Sequence, residues 1–127
     1  ATPFTTLEGM LAKYVAGDHE FDLFENIRTA IANKDYGKYY REKVKSVPVN
    51  YLSTLDITGG NSGSPTLNGN GEFVGLVFDG VYESIIGDWD YDTKFNRAIH
   101  TSVPFMLWTM EHIDGAGNIV EEMTIVD

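Results

Sequence analysis

The sequence predicts a mixed, mainly β fold: a helical segment over residues 1–45, then a β lobe over 46–127 that ends in a helix. Three observations carry this. Apolar residues recur at helical spacing until about residue 33. Strand formers take over near Val47. A glycine-rich loop, Thr58-Gly59-Gly60-Asn61-Ser62-Gly63-Ser64-Pro65, is followed by the hairpin turn Asn68-Gly69-Asn70-Gly71 and the apolar run Phe73 to Phe78.

In chain order, Thr5 and Glu8 have capping-box spacing, and Leu7, Leu11, Tyr14 and Val15 follow as one helical stripe that Gly17 stops. Asp22 and Glu25 repeat the spacing before Phe24, Ile27 and Ile31, a second helix that fades near Asn33. Residues 35–45 form a polar connector whose Tyr36, Tyr39 and Tyr40 pack on the helices. Val47, Val49, Tyr51 and Leu52 make a strand bounded by Pro48 and the Asp56 turn. The run after the hairpin turn reads as a buried strand that enters a turn at Asp79-Gly80. Phe95 to Ile99 suits another strand. Pro104 suits a first helical turn, and the helix it opens runs to Ile113 and breaks at Gly115 and Gly117. An amphipathic tail, Ile119 to Met123, closes the chain.

Composition limits function. With 127 residues and 43% hydrophobic content, one domain with a modest core is expected. No apolar run approaches the roughly 20 residues of a membrane helix. No charged-then-apolar leader opens the chain, so any signal peptide is expected to be removed or outside it. A net charge of −10 disfavours nucleic acid and anionic membranes as partners. No cysteine is present, which excludes disulfides and thiolate metal sites. Asp88, Asp90 and Asp92 are spaced like the start of a calcium loop. However, Thr93 stands where that loop needs glycine and Ile99 where it needs glutamate, so a solvated acidic loop is expected and neither metal nor cofactor.

The glycine-rich loop carries the chemistry. A serine nucleophile needs its hydroxyl on a tight turn, with backbone N–H groups aimed at the developing oxyanion. Gly-Asn-Ser-Gly-Ser-Pro resembles the nucleophile loop of chymotrypsin-like serine peptidases. That resemblance makes Ser62 the nucleophile, Gly60 and Ser62 the oxyanion hole, and the β lobe the second, C-terminal barrel of a double β-barrel. A two-barrel peptidase needs about 200 residues or more, and a histidine base and carboxylate besides. His19 alone precedes Ser62, in a helix-to-helix connection; His100 and His112 follow it and read as structural. The triad partners are therefore expected outside this chain, in a longer protein, and the isolated fragment is expected to be inactive.

The resemblance widens with Pro3-Phe4-Thr5-Thr6-Leu7, Lys34-Asp35-Tyr36-Gly37, Val47-Pro48-Val49, Leu52-Ser53, Asp56 to Pro65, Gly75-Leu76-Val77-Phe78-Asp79-Gly80, Glu83-Ser84 and Asp88-Trp89. Nearly the whole chain resembles the C-terminal part of the bacterial dipeptidyl-peptidase 7 and 11 family. This implies an exopeptidase that releases dipeptides from free N-termini. It also implies a helical domain inserted between two barrels, homodimers, and a periplasmic or cell-surface location. In the family the aspartate matching Asp79 pairs with the substrate's α-ammonium group. The position matching Gly80 sets specificity: arginine goes with Asp or Glu before the cleaved bond, glycine with apolar residues. The resemblance thus implies substrate binding by Asp79 and Gly80 and places the chain nearest the dipeptidyl-peptidase 7 branch. Where relatives carry Asp-Ile-Arg, this chain has Ser102-Val103-Pro104, so a salt bridge there is not expected. Two alternatives remain: a glutamyl-endopeptidase-like protease, which shares the serine motif, and a non-catalytic interaction domain of the same fold.

Overall fold

The computed structural model describes residues 2–126, without the side chains of 86–88. The chain divides into two compact units: residues 1–4 with 50–103, and residues 5–49 with 104–127. Sequence order had suggested a helical segment over 1–45 apart from a lobe with its own terminal helix. The C-terminal helices instead share a unit with the N-terminal ones.

Strands β1 (Phe4–Thr6), β2 (Pro48–Ser53), β3 (Pro65–Leu67), β4 (Phe73–Gly80) and β5 (Ala98–Ser102) form one sheet in the order β1-β2-β5-β4-β3. β2 pairs antiparallel with β5, β5 with β4 and β4 with β3. Among the described residues no pairing joins β1 to β3. The strand expected over 95–99 lies instead at Ala98–Ser102. Arg97 and Asn96 are held off the ladder: Arg97 donates its N–H to Ser84 Oγ, and the Asn96 side chain accepts from the Asp92 N–H.

The first unit is built around β5, whose alternate residues Ala98, His100 and Ser102 are buried. His100 stands opposite Tyr51 on β2 and Val77 on β4. Its ring stacks on Tyr51 at a centroid distance of 4.7 Å. Its Nε2 lies 2.7 Å from Ser53 Oγ and its Nδ1 2.8 Å from Thr66 Oγ1. Both ring nitrogens are thus engaged, as a buried imidazole requires. Gly75 makes room for this arrangement. A Cβ there would come within 2.5 Å of the Tyr51 hydroxyl and 2.6 Å of the Thr101 carbonyl.

β4 carries one irregularity. Val77 pairs with His100, yet Asp79 pairs with Ile99, so Phe78 is an extra, bulged residue. In an unbroken strand Gly75, Val77 and Asp79 would share the buried face. The bulge turns Asp79 out to an exposed position instead. The turn expected at Asp79-Gly80 is therefore strand, extended to Gly80.

The second unit holds α1 (Leu7–Ala12), α2 (Glu25–Ala32), α3 (Val103–Trp108) and α4 (Gly117–Glu121), with a π-helical turn at Thr109–Ile113. Neither expected capping box forms. Thr6, not Thr5, caps α1 by accepting the Gly9 N–H at 3.2 Å, because Thr5 is still in β1. The Glu8 carboxylate bonds the Tyr36 hydroxyl. Asp22 accepts the N–H groups of Gly17 and Leu23, leaving Phe24 at the start of α2 without a side-chain cap. α2 ends at Asn33 as its pattern predicts. The connector tyrosines pack as expected at Tyr36 and Tyr39, both buried, while Tyr40 is exposed. Tyr39 donates to Glu111. The Trp108 indole donates to the Asp35 carbonyl at 2.8 Å, and His112 lies 3.3 Å from the Asp35 carboxylate. Leu7, Val47, Tyr39 and Trp108 are the sealed centre of this unit, and full burial of an aliphatic side chain contributes about 1.5–3 kcal/mol.

Candidate active site

The loop expected to carry the nucleophile is pinned at both ends. Asn61 closes its first half: its side chain accepts the Thr58 N–H at 2.8 Å, and its own N–H donates to the Thr58 carbonyl at 3.2 Å. Two bonds to β4 fix the second half. Gly63 donates to the Val77 carbonyl at 2.7 Å, and Val77 donates back to Ser64 at 3.0 Å. Gly60 sits at φ +98° and Gly63 at +85°, in the left-handed region that only glycine enters freely.

Ser62 is left on the outside of this turn. Its hydroxyl points to the Phe78 carbonyl at 3.5 Å, the outer limit of a hydrogen bond. Among the described residues the N–H groups of Gly60 and Ser62 donate to no protein acceptor. Two unoccupied donors beside an exposed hydroxyl are the components of an oxyanion hole.

Ser62, Asp79 and Gly80 line one cavity of about 360 Å³. Asp79 Oδ1 accepts the Gly80 N–H at 2.8 Å and its carboxylate is otherwise exposed. Gly80 is part of the cavity wall. A Cβ there would stand 3.7 Å from Ile57, from Ser84 and from the Arg97 carbonyl. Gly60 is not part of this lining, although its neighbours Gly59 and Asn61 are. Charged groups on the wall are Asp56, Asp79 and Arg97, whose Nη1 is occupied by the carbonyls of Thr93 and Asn96, each at 2.6 Å.

His100 is not available as a base for Ser62, since Ser53 and Thr66 hold both its nitrogens. Burial also lowers its pKa from the ordinary 6.5. His19 and His112 belong to the other unit. The acidic loop expected at 88–92 is only partly described, since the Asp88 side chain lies outside the described residues. Asp92 accepts the Lys94 N–H through its carboxylate. Among the described residues no three acidic or histidine side chains cluster as metal ligands.

The pattern of peptidase S46 matches residues 1–125. The chain belongs to the peptidase S46 family. It is 44% identical over 123 residues to dipeptidyl-peptidase 7 of Capnocytophaga gingivalis, covering 97% of this chain and 17% of that protein. It is 43% identical over 122 residues to an Asp/Glu-specific dipeptidyl-peptidase of the same organism, covering 96% of this chain and 17% of the relative. The crystal structure of Porphyromonas endodontalis DPP11 in complex with the dipeptide Arg-Asp superposes with a TM-score of 0.91 at 31% identity, over 96% of this chain and 17% of that one. This S46 chain therefore spans about a sixth of the length of these relatives.

Four residues of the S46 cavity escape a reading of the sequence as a string: Ile57, Ser84, Asn96 and Arg97. Ser84 bonds Arg97 twice, accepting its N–H at 2.8 Å and donating to its carbonyl at 3.3 Å. Asn96 is 5% exposed. No local motif marks Asn96 or Arg97, because a strand that begins one residue later sets their positions.

Proposed function

We propose that this chain is the nucleophile-bearing part of a longer serine-type dipeptidyl-peptidase, the C-terminal lobe of a chymotrypsin-like double barrel. The observation that carries the reading is the convergence of Ser62, Asp79 and Gly80 on one cavity. Ser62 attacks the scissile carbonyl, and the N–H groups of Gly60 and Ser62 take up the charge that develops on its oxygen. The base and its carboxylate come from a part of the protein outside this chain, because the one histidine of this unit is spent on Ser53 and Thr66. Asp79 holds the free α-ammonium by a charge-assisted hydrogen bond, which sets the cleaved bond a fixed two residues away. Gly80 leaves the slot for the residue before the cleaved bond open and uncharged, which favours apolar side chains there.

The relatives' names divide between dipeptidyl-peptidase 7 and the Asp/Glu-specific enzymes at nearly equal identity. The apolar preference therefore rests on Gly80 and its apolar neighbour Ile57. Free-N-terminal peptides are the proposed partners, the full-length protein the proposed homodimer, and the periplasm or cell surface the proposed site of action.

The test is covalent labelling of the full-length protein with a dipeptidyl phosphonate, read by peptide mass spectrometry. The expected adduct is on Ser62, with dipeptide release abolished in step. Adduct formation only with N-blocked probes, together with cleavage after internal glutamate, would favour the glutamyl-endopeptidase alternative. Absence of both labelling and hydrolysis would favour a non-catalytic domain.

A further inference from the structure

We infer that Asn96 is a specificity determinant: its side-chain NH2 group is a neutral hydrogen-bond donor for the tip of the side chain preceding the cleaved bond. This inference rests on the reading of the cavity as a peptide-binding site.

Asn96 is 5% exposed yet lines the cavity shared by Ser62, Asp79 and Gly80. Its oxygen is committed, since Oδ1 accepts the Asp92 N–H at 3.2 Å. Its backbone is committed too: the N–H goes to the Asp92 carbonyl at 2.8 Å and the carbonyl to Arg97 Nη1. The orientation of the amide is thereby fixed, because an N–H can face only the oxygen end. Nδ2 is left over, and it donates to no described residue. The sealed, unpartnered side-chain atoms among the described residues are Glu8 Oε2 and Tyr51 Oη. Nδ2 is not one of them, so it is not sealed off, and Asn96 lines the cavity.

A buried amide with one end anchored and the other unspent rewards a ligand that carries an acceptor. Such sites discriminate more sharply than apolar walls do, because the wrong ligand leaves a buried polar group unpaired. The walls nearest Gly80 are Ile57, the Ser84 Cβ and the Arg97 carbonyl. Among polar side chains the favoured one therefore has an apolar stem, which Gly80 admits, and an uncharged accepting tip. Glutamine is the simplest example. Lysine has a similar stem but a donor-only tip, and would present its ammonium to the NH2 group. A carboxylate would meet the donor as well, but beside Asp56 and Asp79 on the same wall.

The decisive variant is Asn96→Asp in the full-length protein. It keeps the size of the side chain and the oxygen that accepts from Asp92, and exchanges the neutral donor for an acceptor that carries a negative charge. The probes are two dipeptidyl chromogenic substrates that differ only in glutamine or lysine before the cleaved bond, with a leucine substrate as reference. The wild type is expected to cleave the glutamine substrate at least about tenfold better than lysine in kcat/KM. Asn96→Asp is expected to reverse that order, with a smaller loss on leucine than on glutamine. Lysine cleaved as well as glutamine by the wild type overturns the inference, whether or not the variant folds. So does an equal loss on all three substrates by a variant with an unchanged melting temperature. If no substrate is cleaved in a Ser62-dependent way, the peptidase reading itself has failed, which is a separate result.

Discussion

The Ser62 hydroxyl lies 3.5 Å from the carbonyl of Phe78, the bulged residue of β4. The nucleophile loop and the strand that carries Asp79 are thus registered to each other at a single point. Two further bonds, Gly63 to Val77 and Val77 to Ser64, reinforce it. The spacing of the Ser62 and Asp79 backbones is thus held by hydrogen bonds.

Ser62→Ala in the full-length protein is expected to lower kcat by at least about a thousandfold with little change in substrate binding. The 127-residue chain alone is expected to be inactive, because a serine without a base is a weak nucleophile at neutral pH. Both are read by chromophore release from a dipeptidyl substrate. Turnover by the isolated chain that Ser62→Ala abolishes would place a base within it.

Asp79→Ala is expected to raise KM for substrates with a free N-terminus. Loss of a charge-assisted hydrogen bond costs about 1.5–3 kcal/mol, or about tenfold to a hundredfold. N-acetylated substrates offer no ammonium and should lose little. Equal losses on both kinds would make Asp79 a structural residue of β4.

Gly80→Arg is expected to erode the apolar preference and to admit Asp or Glu before the cleaved bond, because the introduced guanidinium can pair with a carboxylate. The open wall around Gly80, with its nearest groups 3.7 Å from a Cβ, has room for the start of a longer side chain. A substrate panel varied at that one position measures the change. A wild type that already prefers Asp or Glu by tenfold contradicts the role given to Gly80.

Melting temperature is expected to depend on pH through His100. The unfolded ring takes up a proton near pH 6.5, whereas burial holds the folded ring below that value. This contribution to stability is complete above pH 6.5 and declines as pH falls from there towards the folded value. His100→Gln should flatten the profile between pH 6.5 and 5 while costing about 2 kcal/mol overall, through the Ser53 and Thr66 hydroxyls it leaves poorly paired. A wild-type melting temperature that is level over that interval would contradict it. The Glu111 carboxyl, lowered mainly by the Tyr39 hydroxyl, titrates below 4.5 and leaves this window clear.

Much of this was legible in the residues themselves. The Asn68 to Gly71 turn, the end of α2 at Asn33 and the glycines that free the Ser62 loop are local chemistry, and local chemistry is written in order along the chain. The bulge was not legible. Phe73 to Phe78 reads as one apolar run, and nothing inside it says that β5 will pair with it one residue short. The caps failed for a similar reason: Thr5 has the right spacing, but its backbone is taken by β1. His100 depends on partners tens of residues away, Ser53 and Thr66, and Asn96, though held locally by Asp92, meets the Ser62 loop only across the cavity. Only the assembled sheet brings those together.

The bulge at Phe78 also has an evolutionary reading. Residues 73–77 obey an alternation imposed by the buried layer, where Gly75 and Val77 tolerate little change. Beyond the extra residue that alternation is broken, and positions 79–80 lie outside the buried layer. One strand thus carries two halves under different constraints: a packed half that belongs to the buried layer, and an outer half that does not. On the proposed reading, residue 80 can change with the substrate while the buried layer stays as it is.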